Sequence, residues 1–236
     1  MSSLPLIFVF KRCGDRSMQY MIHSSPKRIW YVERYLIPSM LDQGIRRENI
    51  EVWNDVQGQG NLVSCMGSFT DCGKRNGGTW HLQDDVIICH DFAKRTADND
   101  EGVVCGFCCE QFEATTKNVG DVEAGLMWYS FQCIRIPNQL ACECADWFYN
   151  DASKRQKYRF KVQSNKYDDT FWKDFMSEIH GDMKVTNLAP NLVDHIDFVI
   201  GGSLVNKQRG NRERRAFYFE DAHLVEELKR AVNKWR

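Results

Sequence analysis

The chain lacks any apolar run long enough to cross a membrane. Its first such run, Leu4 to Phe10, ends at Lys11 and Arg12, whereas a spanning helix needs about 20 apolar residues. The basic residues follow this run instead of preceding it, the wrong order for an export signal. The expectation is therefore a protein that stays in the cytoplasm where it is made. Net charge is missing too: 31 basic and 32 acidic side chains leave −1, so no global field draws in nucleic acid or a membrane surface. Internal repeats and low-complexity tracts are absent. With 43% hydrophobic and 27% charged residues, the composition is that of an ordinary globular protein and excludes disordered and collagen-like chains.

What is present fits one α/β domain over residues 1–236. Leu4–Phe10 reads as a first strand with a polar loop after it, Arg28–Gln43 as a helix kinked at Pro38, and Asn49–Trp53 as a second strand ending at Asn54-Asp55. This β, α, β order opens a nucleotide-binding sheet, in which ligands sit beyond the carboxyl ends of strands. Asn61–Cys72 reads as a helix, and Thr79–Cys89 as a strand-like run interrupted by two acids. Val103–Cys109 and Leu126–Ile136 read as strands, and Asn138–Asn150 as a helix with Asn138 as its cap. An amphipathic helix is predicted over 168–180, a strand with a loop over 184–200, and a final helix over His223–Trp235.

Ten cysteines are many for this length, and without an export signal their thiols are expected to be reduced. Cys105-x-x-Cys108-Cys109 and Cys142-x-Cys144 are possible zinc ligands, although a structural site needs four ligands in tetrahedral geometry. Buried small hydrophobes are the other reading.

The strongest chemical signal is Gln83-Asp84-Asp85-Val86, flanked by Trp80-His81-Leu82 and Ile87-Ile88. Two adjacent acids at the end of a buried strand repel each other and lose solvation, so they need a cation or several hydrogen bonds. A divalent metal bridging a diphosphate is one source of that compensation. A polar loop between two short strands is the alternative. For a nucleotide, the strand-end rule points to Lys11, Arg12 and Asp55, and Arg75 before Gly77-Gly78 adds a cation.

This stretch resembles the acidic metal motif of GT-A glycosyltransferases, above all the lipooligosaccharide-type family 25, with Gln83 where the first acid is expected. Trp128–Asn138 and the segment from Asn187 through His195 to Gly201-Gly202-Ser203 resemble later elements of the same family in the same order. The resemblance implies a GT-A fold: an open, mostly parallel twisted sheet flanked by helices, with a nucleotide-sugar-binding half at 1–125 and an acceptor half with a closing segment at 126–236. It implies transfer of a sugar from a nucleoside-diphosphate sugar, a UDP-sugar first among them, to an acceptor hydroxyl on a glycan or on a hydroxymethylated base in DNA. Asp85 and His195 would hold Mn²⁺ or Mg²⁺, with Asp194 or Asp197 fixing the second nitrogen of His195. Asp84 and Gln83 would face the sugar or ribose. Asp169 or Asp168, at a helix start, would be the base of an inverting reaction, although aspartate also favours that position as a cap.

Two basic clusters, Lys154–Lys161 and Lys207–Arg215, make local positive surfaces suited to a diphosphate or to DNA, or serve as solvated faces. A non-catalytic nucleic-acid or protein-binding module held by zinc at the cysteine pairs is the competing class.

Overall fold

A computed structural model of the protein describes residues 18–108, 120–124, 131–151, 168–202, 215–216 and 218–235. The strand expected at Leu4–Phe10, with Lys11 and Arg12, lies outside them. The first described strand is β1, Gln19–Ser24, which the sequence reading did not assign. Tyr20, Met21 and Ile22 are all buried, so the strand shows no alternation of inside and outside.

Helix α1 follows. It starts at Ile29–Tyr31, widens into a π-helical stretch at Val32–Leu36 and resumes at Ile37–Asp42. Pro38 has no amide to donate one turn back, and the π-helical turn immediately before it is where the helix departs from regular geometry. Next come β2 at Ile50–Asn54, α2 at Asn61–Cys72, β3 at Gly78–Gln83, β4 at Val86–Ile88, α3 at Phe92–Asp98 and β5 at Val103–Cys105. The remaining elements are β6 at Gly120–Glu123, β7 at Cys133–Pro137, α4 at Asn138–Asn150, α5 at Asp168–Ile179, β8 at Lys184–Asn187, β9 at Val193–His195, α6 at Asp197–Ile200 and α7 at Ala222–Trp235. Of the strands expected at 103–109 and 126–136, the described residues form Val103–Cys105 and Cys133–Pro137, while 109 and 126–130 lie outside them. Asn138 does not cap α4: it is the first helical residue, and its Oδ1 accepts a hydrogen bond from Thr79 Oγ1 at 2.7 Å.

Among the described residues seven strands form one sheet in the order β2-β1-β3-β7-β5-β8-β6. β1, β2, β3, β5 and β8 run one way, while β7 and β6 oppose them. The result is an open α/β sheet, mostly parallel in strand direction. On one face Tyr20, Ile22, Trp80 and Leu82 pack with Tyr31 and Leu36 of α1, Phe92 of α3, and Val225 and Leu228 of α7. On the other, Ile134, Ile136, Val103 and Val185 pack with Phe69 of α2, Phe148 of α4, and Phe171, Trp172 and Phe175 of α5.

Two features position the site. β1 lies between β2 and β3, both parallel to it, so the chain turns outward in opposite directions from neighbouring strands. The carboxyl ends of β1 and β3 therefore flank a topological switch point, where open α/β sheets leave a crevice. A separate two-stranded sheet pairs β4 with β9 antiparallel, setting His195 opposite Val86.

Candidate active site

Asp84 and Asp85 form the turn between β3 and β4. They are a loop by backbone and buried by environment, each 7% exposed. Asp84 Oδ2 accepts from the Ser25 amide at 2.9 Å and from Ser24 Oγ at 3.2 Å, both at the carboxyl end of β1. Asp84 Oδ1 accepts from Arg28 Nη1 at 3.1 Å, and the same nitrogen donates a very short bond to Asp85 Oδ2. Arg28, the residue before α1, is 5% exposed. The sequence reading assigned compensation of the acidic pair to a metal and a diphosphate; the chain itself supplies the first share.

The two acids are pushed in opposite directions. Burial and the charge of Asp85 raise the Asp84 pKa more than Arg28 and the Ser25 amide lower it. Burial also raises Asp85, but His195 and Arg28 outweigh it and hold this carboxylate well below the ordinary range. His195 Nε2 lies 3.3 Å from Asp85 Oδ2, and Nδ1 lies 3.4 Å from Asp197 Oδ1. These are ion-pair distances without hydrogen-bond alignment: both imidazole nitrogens and Asp85 Oδ1 are buried with no hydrogen-bond partner among the described residues.

The placement of His195 follows from β9. Its neighbour Asp194 does not orient the imidazole. Asp194 accepts from the His195 amide at 2.9 Å, the Ala216 amide at 2.7 Å and Arg215 Nε at 2.6 Å, which anchors the strand. The Ile196 amide donates to the Asp85 carbonyl at 2.8 Å, and Tyr31 Oη donates to the Val86 carbonyl at 2.8 Å, which locks the acidic turn against β9 and α1.

Asp84 and Asp85 share the Arg28 guanidinium, and Asp85 and Asp197 flank the His195 imidazole, so three buried acids adjoin two basic groups. Asp85 Oδ1, which has no hydrogen-bond partner among the described residues, and an imidazole nitrogen are ligands that Mn²⁺ or Mg²⁺ accepts. No set of three or more Asp, Glu, His or Cys side chains among the described residues is arranged to hold an ion by itself. An ion bound to Asp85 and His195 would thus depend on ligand oxygens and water for its remaining positions.

The other expected residues are distributed unevenly. Gln83 ends β3 and accepts a hydrogen bond from Gln132 Nε2 at 3.1 Å. Asp55 is at the right edge of the sheet, but both its oxygens accept loop amides, from Gln59 at 2.9 Å and Gly60 at 2.8 Å. Arg75 is at the amino end of β3, across the strand from the acidic turn, paired with Glu51 at 2.6 Å and Asp71 at 2.8 Å. The rule that ligands sit at carboxyl ends therefore does not apply to it.

Asp169 Oδ1 accepts the Thr170 amide at 2.7 Å in the first turn of α5. Trp172, one turn on, packs edge-on against Phe131, which precedes β7 at the acidic edge of the sheet. The Asp168 side chain, Lys11 and Arg12 lie outside the described residues, as do the 154–161 cluster and all of the 207–215 cluster except Arg215, which is bound to Asp194. Cys108 Sγ lies 2.6 Å from Asn187 Oδ1. Cys142 and Cys144, two positions apart on α4, point to opposite sides of the helix. Cys109 is outside the described residues.

Sequence reasoning missed Ser24, Ser25 and Arg28. A Ser-Ser-Pro turn followed by a basic residue at a helix start was the available signal. It also missed the contact between His23 and His81, whose Nε2 and Nδ1 atoms lie 3.0 Å apart beside this edge. Compared with known proteins, the chain matches no family model and no curated protein.

Proposed function

We propose that the chain is a GT-A-type glycosyltransferase that moves a sugar from a nucleoside-diphosphate sugar to an acceptor hydroxyl. The observation that carries this reading is the buried Asp85 Oδ1, which has no hydrogen-bond partner among the described residues, beside His195 and the buried acids Asp84 and Asp197. Such a set would favour a divalent cation, for which a diphosphate would supply further oxygen ligands.

In this reading Asp85 and His195 would hold Mn²⁺ or Mg²⁺, which when bound would supply Lewis-acid stabilisation of the leaving diphosphate. Asp197 sits behind His195 and keeps Nδ1 toward itself, leaving Nε2 for the ion side. Ser24 and Ser25 hold the Asp84 carboxylate at the carboxyl end of β1. Asp169 is the candidate base: its carboxylate takes the proton of the acceptor hydroxyl as that oxygen attacks the anomeric carbon from the face opposite the leaving group.

Thermal denaturation with UDP-, GDP-, CMP- and dTDP-sugars, each with and without Mn²⁺, tests the class and names the donor. At a donor concentration of about 100 times Kd, stabilisation of about 2.7 kcal/mol is expected. Asp85→Asn should remove the metal-dependent part of that shift. An absence of metal-dependent stabilisation by every donor would falsify the assignment.

A further inference from the structure

Arg28 is tied to three places at once. Nη1 reaches both Asp84 Oδ1 and Asp85 Oδ2, and Nη2 donates to the Gly202 carbonyl at 2.8 Å. Gly201 and Gly202 have φ of 124° and 85°, a conformation open to glycine and strained for other residues. The Gly202 amide bonds back to the Asp197 carbonyl at 2.6 Å. One guanidinium thus links the acidic turn to the glycine turn behind His195 and Asp197, 174 residues away in the chain. The Asp85 oxygen that accepts from Arg28 is also the oxygen 3.3 Å from His195 Nε2. A cation held by Asp85 Oδ1 and His195 would share that carboxylate with Arg28, and two cations around one carboxylate repel.

We propose that Arg28 is a resident counter-ion that weakens divalent-cation binding in the free protein and is drawn off by a nucleoside diphosphate, so that ion and nucleotide each tighten the other. This rests on the glycosyltransferase reading and adds the order and linkage of its ligands. Arginine suits the exchange because its planar fork matches a phosphate as well as a carboxylate. The linkage is reciprocal by thermodynamic necessity. Arg28 thus pairs with Asp84, Asp85 and the glycine turn in the free protein and with the diphosphate in the complex.

The test is a titration of the full chain with Mn²⁺, the unbound ion being followed by electron paramagnetic resonance, alone and with UDP, GDP, ADP or dTDP present. In the wild type the best of these nucleotides should tighten Mn²⁺ binding about tenfold. Arg28→Gln should bind Mn²⁺ alone about tenfold more tightly and lose the nucleotide effect, whereas Arg28→Lys, which keeps the charge, should retain most of it. Should Arg28→Gln fail to fold, Arg28→Gln combined with Asp84→Asn removes one charge of each sign and is read in the same way. If the wild type binds Mn²⁺ but removal of Arg28 leaves its affinity unchanged or weaker, or if no nucleotide tightens it, the counter-ion role is overturned while the metal site stands. If the wild type binds no Mn²⁺ with or without nucleotide, the metal reading and this inference fall together.

Discussion

Asp84 and Asp85 are adjacent in the chain and equally buried, yet their partners separate them. Asp84 is tied to Ser24, Ser25 and Arg28, while Asp85 faces Arg28 and His195 and keeps Oδ1 without a hydrogen-bond partner among the described residues. In the proposed reading this difference gives the ion to Asp85 and a structural share to Asp84. Beside them, His23 and His81 make a histidine pair with stacked rings; burial pushes His23 down to about 4 from 6.5. A histidine with a lowered folded pKa stabilises the fold in its neutral form. Its contribution is complete above pH 6.5 and is lost as pH falls from 6.5 toward 4, a swing of up to about 3 kcal/mol. The proton resonances of the His23 ring should therefore stay at the neutral position down to about pH 5; a midpoint near 6.5 would show that the ring is solvated.

Between elements, two contacts are close enough to test, the second of them at the site. Gly73 ends α2 in an ordinary helical conformation, but a Cβ there would meet Cys142 Cβ of α4 at 2.5 Å. Gly73→Ala must therefore push the two helices apart and should destabilise the protein by about 1–3 kcal/mol. Urea denaturation measures this, and an unchanged midpoint would mean that the helices are not packed so closely. The second contact is the anchoring of β9. Asp194, 1% exposed, holds Arg215 and two backbone amides, so Asp194→Ala leaves these donors without their acceptor at a cost of about 3 kcal/mol. Because β9 carries His195 to Asp85, the same change should weaken Mn²⁺ binding about 10–100-fold. Loss of stability with full ion affinity would separate the strand from the site.

For the molecule as a whole, β7 comes from the second half of the chain and lies between β3 and β5 of the first. The two halves of the chain thus share one sheet and should unfold together, giving one calorimetric transition with equal calorimetric and van't Hoff enthalpies. Two resolved transitions would contradict a shared core. The linear sequence by itself determined the local elements: Asn61–Cys72, Asn138–Asn150 and most of the C-terminal helix follow from periodicity, and the acidic turn stands out because two adjacent carboxylates among apolar residues demand compensation. β1 was not legible, since a strand buried on both faces carries no alternation. Only the tertiary structure decided who compensates whom. Arg28 meets Asp85 from 57 residues away, β9 brings His195 to it, Asp55 turns its oxygens onto its own loop, and Arg75 is carried to the far end of β3. Periodicity is a property of neighbours along the chain, whereas neutralising a buried charge depends on strand order and register, which bring together residues that share no local pattern.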